Sequence, residues 1–348
     1  MTFQNDPHAL RFGELSIAFQ RTLRIPDDGR AYPLPPGLGA LPVRKVSDFA
    51  DTVPREWLEK GGVFLPLFQR EAMWLSFSGP AWKPFALKVG VGKVCALTGQ
   101  PWSDALRTSP QDYVVTPPQP WLDGIHNGHG TIRQFVAMPL GQGYTVEGQV
   151  TGEERVGGLQ LMAFEPKPGR FHQPPLQVRI PSSFSASAGG GSMPPAPCAP
   201  MAPPMAMAGP SGASVGRARA SKSASMGVAA GGRMKQKIYP DPHGVSTWDV
   251  TRTGRVFVHI VDAMQWSEIT GEPALKTPVT AKTYAKHGLP WFDLYDDHMP
   301  THAAPGPLAS VKSVKHLDSE KSTLPLQDDE PVAVPFVQKV LDALDGKW

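Results

Sequence analysis

The sequence predicts a mainly β protein, with an antiparallel β-sandwich or jelly-roll-like body, a few short helices and a long disordered insertion. Three observations predict this class. Apolar and polar residues alternate in several short segments, which is typical of strands with one buried face. The 348-residue chain contains 39 prolines and 35 glycines, and interior proline disrupts helices. A tract rich in Ser, Ala, Gly, Pro and Met separates two strand-rich parts of the chain.

The clearest strand pattern lies near the beginning of the chain. Between Leu15 and Ile25, apolar residues occupy alternate positions, interrupted only by Arg21. This period of two predicts a strand with one buried face. Residues 85–91 alternate in the same way, and the glycines at positions 90 and 92 indicate a bulge or a turn.

Three short helices are predicted from capping and spacing. A proline and a glycine pair bracket residues 55–60, which should form the first helix. A threonine that can act as an N-cap precedes the second, at residues 281–287. Apolar side chains recur at intervals of three and four within residues 336–344, and we expect this third helix to dock on the sheet.

The segment from residue 131 to residue 164 predicts an antiparallel meander. Ile132–Met138 and Leu159–Phe164 are apolar segments of strand length. Between them, residues 144–151 alternate between apolar and polar side chains, so we expect a third strand there. Short glycine-rich loops separate the three segments, as in consecutive antiparallel strands.

The domain organisation follows from the low-complexity tract. Residues 181–232 should be a disordered Ser/Pro/Met/Gly-rich insertion, because they offer too little apolar surface to offset the entropy of ordering. Residues 1–180 then form the first part of a β-rich body. Residues 233–348 supply its remaining strands and the C-terminal helices. Two separate β-rich domains, Met1–Ile180 and Arg233–Trp348, are the alternative.

The positive charge of the chain is concentrated in one region. The formal net charge is +3, yet no Asp or Glu occurs between Pro166 and Pro240. Nine basic residues lie there, which leaves −6 for the rest of the chain. They are Lys167, Arg170, Arg179, Arg217, Arg219, Lys222, Arg233, Lys235 and Lys237. A nucleic-acid-binding domain concentrates positive charge on a folded face, so nucleic acid is not the expected partner.

Cysteine content and hydropathy predict a cytoplasmic protein. Cys95 and Cys198 are the only cysteines, too few for a disulfide framework or a four-thiolate zinc site. Residues 1–15 contain charged side chains and no apolar run of the signal-peptide kind. The longest charge-free stretch, Ile180–Gly216, is rich in Pro, Gly and Ser and unsuited to crossing a membrane.

Three stretches carry a resemblance to a known family. They are LSIAFQRTLRIPDDGRAYPLPPGLG at Leu15–Gly39, IRQFVAMPLGQGYTVEGQVTG at Ile132–Gly152 and GLPWFDLYDD at Gly288–Asp297. The chain resembles a family of uncharacterised β-rich proteins, mostly bacterial and present in some simple eukaryotes, over its length outside the insertion. The resemblance implies a single ancestral unit in the cytoplasm. It implies no activity, cofactor or catalytic residue.

The first candidate metal site is a glycine-rich turn that contains Asp123, His126 and His129. One carboxylate and two imidazoles can bind zinc or iron. Glycine-rich loops, however, leave the geometry of the ligands loose, and the sequence identifies no partner that would orient either ring. The competing interpretation is a loop tip with solvent-exposed histidines.

A second candidate metal site comprises Asp296, Asp297, His298 and His302. Carboxylate oxygens suit hard cations, whereas imidazoles suit transition metals. The competing interpretation is an aromatic anchor, formed by the preceding Trp291 and its neighbours, followed by a solvated acidic turn. We therefore predict no cofactor, and a divalent metal is the alternative that these two clusters leave open.

The sequence offers no complete catalytic constellation. It contains no Gly-x-Ser-x-Gly elbow and no phosphate-binding loop, so catalytic residues stay unknown and nucleotide-dependent enzymes are disfavoured. Nine tryptophans could include a sugar-stacking platform, although aromatic residues more often serve as core and loop anchors.

Three functional hypotheses follow. The first is a non-catalytic binding or self-assembly module whose partner is a protein or a second copy of the chain. The second is a metal-dependent hydrolase that uses one of the Asp/His clusters. The third is a carbohydrate-binding β-sandwich.

Overall fold

The computed structural model describes residues 3–128, 130–174, 225–293, 300–302, 306–321 and 330–339. Within these ranges strands predominate and the helices are short. This confirms the predicted mainly antiparallel β body. No helix among these residues is both long enough and apolar enough to cross a membrane.

The strands are β1 (Phe3–Asp6), β2 (Ala9–Phe12), β3 (Leu15–Thr22), β4 (Ala31–Tyr32), β5 (Gly37–Ala40), β6 (Arg44–Lys45), β7 (Val63–Leu67), β8 (Ala72–Ser78), β9 (Phe85–Val91), β10 (Val94–Cys95), β11 (Val114–Thr116), β12 (Trp121–Leu122), β13 (Gly124–Gly128), β14 (Thr131–Pro139), β15 (Leu159–Pro166), β16 (Ser225–Lys235), β17 (Trp248–Asp262), β18 (Trp291–Asp293) and β19 (Val337–Lys339). The helices are α1 (Arg55–Lys60), α2 (Val146–Thr151), α3 (Trp266–Thr270), α4 (Ala281–Lys286), α5 (Gly306–Ala309) and α6 (Val314–Glu320). Three-residue or four-residue 3₁₀ turns lie at Val46–Phe49, Val245–Thr247 and Ala263–Gln265.

Strands from both sides of the low-complexity tract pair with one another. β16 lies antiparallel to β14 along most of its length. β17 pairs antiparallel with β15 and parallel with β7. β9 extends this part of the sheet on the other side of β15. One continuous hydrogen-bonded network therefore includes strands from before and after the tract.

The sheet folds over a shared apolar core. Alternate residues of β3 are buried, among them Ile17 and Phe19, as its period of two predicts. They belong to the same buried cluster as Leu87 of β9, Leu161 of β15 and Val258 of β17. The two predicted helices at residues 55–60 and 281–287 are confirmed as α1 and α4.

The predicted meander is wrong, because residues 146–151 form helix α2 and not a strand. The Thr145 side chain accepts a hydrogen bond from Gly148 N, and Gly152 ends the helix in a left-handed conformation. A short alternating pattern fits one helical turn equally well, and capping decides between them. β14 and β15 consequently do not pair with each other but with β16 and with β9 and β17.

The predicted C-terminal boundary of the insertion is also wrong. Residues 225–232 belong to strand β16 and are almost entirely buried. Small residues suit this strand because neighbouring groups approach closely: a β-carbon on Gly231 would lie 2.7 Å from a Val136 methyl carbon, and one on Gly232 would lie 2.4 Å from Pro26 O. The rest of the predicted insertion, residues 181–224, lies outside the described residues.

The prediction of a third helix at residues 336–344 is wrong for residues 337–339, which the structure describes. Val337–Lys339 forms β19, which pairs in parallel with β18. Backbone pairing with residues 291–293, which are distant in sequence, overrides the local helical spacing. Residues 340–348 lie outside the described residues.

Candidate ligand-binding groove

A groove of about 460 Å³ lies on the outer face of the sheet formed by β9, β15 and β17. The strand register builds its floor. Gly90, Gln160 and Phe257 are direct cross-strand neighbours, and Lys88, Met162 and Arg255 form the adjacent row. Side chains that alternate with these point into the core. The groove is lined by Phe3, Lys60, Gly62, Lys93, Trp102, Asp104, Gln160, Leu161, Arg255, Val256 and Phe257.

The segment that follows β10 covers one part of this outer face. Tyr113 packs with Met162, Phe164 and Trp248 in a buried cluster, and Trp102 packs against its edge. The groove therefore lies next to the covered part of the sheet, with Trp102 at the boundary.

Trp102 is fixed in place on several sides. A β-carbon on residue 90 would lie 2.7 Å from its Cε3 atom, so the ring lies directly over Gly90. Its indole Nε1 donates a hydrogen bond to Asp104 at 2.9 Å. The buried ammonium group of Lys88 lies 5.5 Å from the ring centroid, within the range of a cation–π contact. The ring remains partly exposed toward the groove.

The charge of Lys88, beneath Trp102, is neutralised by the carboxylate of Asp112. Its Nζ donates to a carboxylate oxygen of Asp112 at 2.8 Å and to the carbonyl of Ala105 at 2.5 Å. Both charged side chains are almost completely buried. This pair anchors the segment that carries Trp102 onto the sheet.

The β9–β10 turn places Lys93 at the rim of the groove. Val91 pairs with Val94, so Gly92 and Lys93 form the two-residue loop. Both have positive φ, +57° and +61°, which is the geometry of a type I′ hairpin turn. The Lys93 amide donates to the Gln160 side chain at 2.5 Å, and the Lys93 carbonyl accepts from Trp102 N at 2.8 Å. Lys93 and Trp102 are therefore hydrogen-bonded neighbours.

A stack of rings forms the other side of the groove. Phe257 stacks on His259 at 5.4 Å between centroids, and His259 stacks on Trp57 of helix α1 at 4.7 Å. The Nε2 atom of His259 lies 2.9 Å from the Gly61 carbonyl, so Nε2 carries the proton. Burial lowers the pKa of His259 to about 4, although this hydrogen bond opposes the shift. Lys60 lies 5.6 Å from the Phe257 centroid.

The charged groups of the groove are mostly basic. Lys60, Lys93 and Arg255 line it, together with one carboxylate, Asp104. Asp104 is occupied by two contacts, since it accepts from Trp102 and lies 3.3 Å from an Arg255 nitrogen. Lys60 donates to the Val156 carbonyl at 3.4 Å. The groove thus combines aromatic rings with an excess of positive charge.

The structure brings together one residue from each predicted metal cluster. His126, in β13, is 2 % exposed, and burial together with the charge of neighbouring His302 lowers its pKa. The Nε2 atoms of both rings are buried and accept or donate no hydrogen bond within the described part of the chain. Asp123 precedes β13, and strand alternation directs it to the opposite face from His126. Its carboxylate accepts from Trp121 Nε1 at 2.9 Å.

The remaining predicted ligands, His129, Asp296, Asp297 and His298, lie outside the described residues. Among the residues that the structure does describe, no three His, Cys, Asp or Glu side chains form a group that could hold a metal ion. The interpretation of His126 as an exposed loop histidine is wrong, because it is buried in a strand.

No protein-family model, no curated protein and no solved structure matches this chain. The resemblance to a family of uncharacterised bacterial proteins therefore stays a prediction.

Proposed function

We propose that this protein is a non-catalytic binding module and that the groove between Trp102 and Phe257 holds its ligand. The observation that carries the proposal is the fixed position of Trp102. Contacts with Gly90, Asp104 and Lys88 hold the ring, and Trp102 stays partly exposed where it lines the groove. A binding surface ordered before the ligand arrives loses little conformational entropy on association.

The composition of the groove supports binding over catalysis. Its described lining contains neither histidine, cysteine, serine nor threonine. Lysine and aspartate can also act as nucleophiles or acid–base groups, but neither Lys60 nor Lys93 forms an ion pair with a carboxylate in the described part of the chain. Asp104 is the one carboxylate in this lining, and it already contacts Trp102 and Arg255.

An immobilised panel of saccharides, probed with the purified full chain, tests the proposal. We expect wild-type protein to bind at least one member and Trp102→Ala to lose about tenfold or more in affinity, because ring stacking and its buried area disappear. Trp82→Ala is the matched control, since Trp82 is a partly exposed tryptophan outside the groove. Equal loss in both variants, or unchanged binding by Trp102→Ala, would contradict the assignment.

Metal-dependent hydrolysis is a second candidate function, and one observation favours it. His126 and His302 are neighbours with buried Nε2 atoms, and neutral imidazole is a common ligand of transition metals. Elemental analysis of protein purified without chelators is the test. A stoichiometric transition metal that is lost in His126→Gln and retained in exposed-histidine control His316→Gln would support this function. Metal-free protein that also fails to take up Zn²⁺ would exclude it.

A further inference from the structure

Resting on the proposed function, we infer that the groove takes an acidic saccharide, a sugar ring that carries a carboxylate, and that Lys93 binds this carboxylate. The inference depends on three features: the sign of the local charge, the lack of an ion pair at the Lys93 side chain within the described residues, and its position relative to Trp102.

The charged side chains that line the groove are mostly basic. Lys60, Lys93 and Arg255 lie there beside one carboxylate, Asp104. An anionic ligand is attracted by this excess of positive charge, and the effect is strongest at short range because salt screens exposed charges beyond about 8–10 Å.

Lys93 occupies a backbone conformation that favours glycine. Its φ of +61° is shared, among described non-glycine residues, only by Arg70 at +71°. The type I′ turn between β9 and β10 requires this positive φ, and the turn thereby fixes the backbone of Lys93 at the rim of the groove. The exposed Lys93 side chain makes no ion pair or hydrogen bond with any residue in the described ranges.

The other two cations of the groove are engaged. Arg255 pairs with Asp104, and Lys60 lies over the Phe257 ring and donates to the Val156 carbonyl. Lys93 is therefore the group best placed to accept a new anionic partner. Its backbone is held by the Gln160 side chain and by Trp102 N.

The adjacency of Lys93 and Trp102 sets the shape of the ligand. Because their backbones are hydrogen-bonded, a ring stacked on the indole brings its substituents near the Lys93 ammonium group. A pyranose with a ring carboxylate has both parts, an apolar C–H face and an adjacent anion. A polynucleotide fits less well, because its backbone presents a run of phosphates, whereas Lys93 is the one cation of the described lining whose side chain has no ion pair or hydrogen bond there.

Calorimetric titration of the full chain tests the inference with a matched pair of ligands. The first is a linear trimer of α-1,4-linked galacturonate, and the second is the corresponding neutral galactose trimer. We compare wild type with Trp102→Ala, Lys93→Gln and Lys93→Arg, and with Lys45→Gln as a control at an exposed lysine outside the groove. Circular dichroism melting verifies that each variant is folded.

We expect wild type to bind the acidic trimer about tenfold more tightly than the neutral one, as one charge-assisted hydrogen bond allows. Lys93→Gln should remove this preference, whereas Lys93→Arg and Lys45→Gln should keep it. Trp102→Ala should weaken binding of both trimers.

Each other outcome is decisive. Equal wild-type affinity for the two trimers, abolished in Trp102→Ala, overturns the acidic preference but retains the groove as a binding site. An acidic preference that survives in Lys93→Gln overturns the role of Lys93. Absence of binding to either trimer, with tight binding of a thymidylate dodecamer, overturns the saccharide class. Unchanged affinity of Trp102→Ala for a bound trimer overturns the proposed function itself.

Discussion

The indole ring of Trp102 lies against Gly90, and the absence of a side chain at residue 90 is what lets the ring lie across strand β9. A β-carbon there would come within 2.7 Å of Trp102 Cε3 and within 3.1 Å of the Gln160 side-chain oxygen. Real atoms do not approach a ring so closely, so a side chain at this position must displace the tryptophan. The position of Trp102 in the groove therefore depends on a glycine that is not itself among the lining residues.

We predict that Gly90→Ala weakens ligand binding about tenfold, much as Trp102→Ala does, because the ring loses its position. Stability should change by no more than about 1 kcal/mol, since alanine is intrinsically better than glycine in a strand and offsets part of the displacement. The control is Gly306→Ala, where a β-carbon meets no atom within 4 Å. Saccharide affinity and urea unfolding of both variants are the measurements. Unaltered affinity in Gly90→Ala would contradict the proposed role of the Trp102 ring in binding.

Lys93→Gly should raise the stability of the fold and at the same time weaken binding of the acidic saccharide. Glycine adopts φ near +61° without steric cost, so we predict a gain of up to about 1 kcal/mol in the free energy of unfolding. Affinity for the acidic saccharide should fall at the same time because the ammonium group is removed. Denaturant unfolding measures the first quantity and calorimetry the second. A less stable Lys93→Gly protein would show that Lys93 is not held under strain.

Acidification should destabilise the protein through His259. Its pKa of about 4 in the folded state is below the ordinary value of 6.5, so the folded state favours the neutral ring. The resulting stability is fully present above about pH 6.5 and is lost as pH falls toward 4, by about 3 kcal/mol in total.

In His259→Gln this part of the pH dependence should disappear. His126 and His302 also have lowered pKa values, so a shallower decline should remain in the variant. Unfolding free energies between pH 7 and pH 4 provide the measurement, with His316→Gln as an exposed control. Identical slopes for wild type and His259→Gln would refute the assignment.

Helix α6 should be held to the sheet mainly by one buried ion pair. Asp318 accepts two hydrogen bonds from Arg70, at 2.7 and 2.8 Å, and one from Tyr144 at 2.7 Å. Burial would raise the pKa of Asp318, but these hydrogen bonds outweigh it and lower the pKa. We predict that Asp318→Asn costs about 3 kcal/mol, because the Arg70 charge loses its counter-charge in a partly buried site. Glu320→Gln, an exposed change on the same helix, should cost far less. Near-equal unfolding free energies for the two variants would contradict this account.

Periodicity predicts the fold class and several of its elements. Strand β3 buries alternate residues, helix α1 ends at Gly61 as expected, and helix α4 begins after its expected N-cap Thr280. The failures have a common cause, which is that distant contacts override local patterns. β16 is rich in glycine and alanine because its neighbours approach closely, and β19 is a strand because it pairs with β18.

Much of the candidate groove could not be predicted, because its residues come from distant parts of the chain. Trp102 is one of nine tryptophans, and nothing nearby in sequence distinguishes it. The useful local signal is the Gly90–Gly92 spacing, which indicates a turn but not the ring that lies over it. Strand register alone places Phe257 beside Gln160 and Gln160 beside Gly90. The neighbouring positions of His126 and His302, 176 residues apart in number, have the same origin.

The indole Nε1–H resonance of Trp102, assigned by its loss in Trp102→Phe, offers the most direct measurement. This proton donates to Asp104 at the edge of the groove, so ligand bound there must alter its surroundings. During titration with the galacturonate trimer we expect the resonance to shift and to saturate at the dissociation constant found by calorimetry. A resonance that stays unchanged while the trimer binds would place the ligand elsewhere and contradict the central claim.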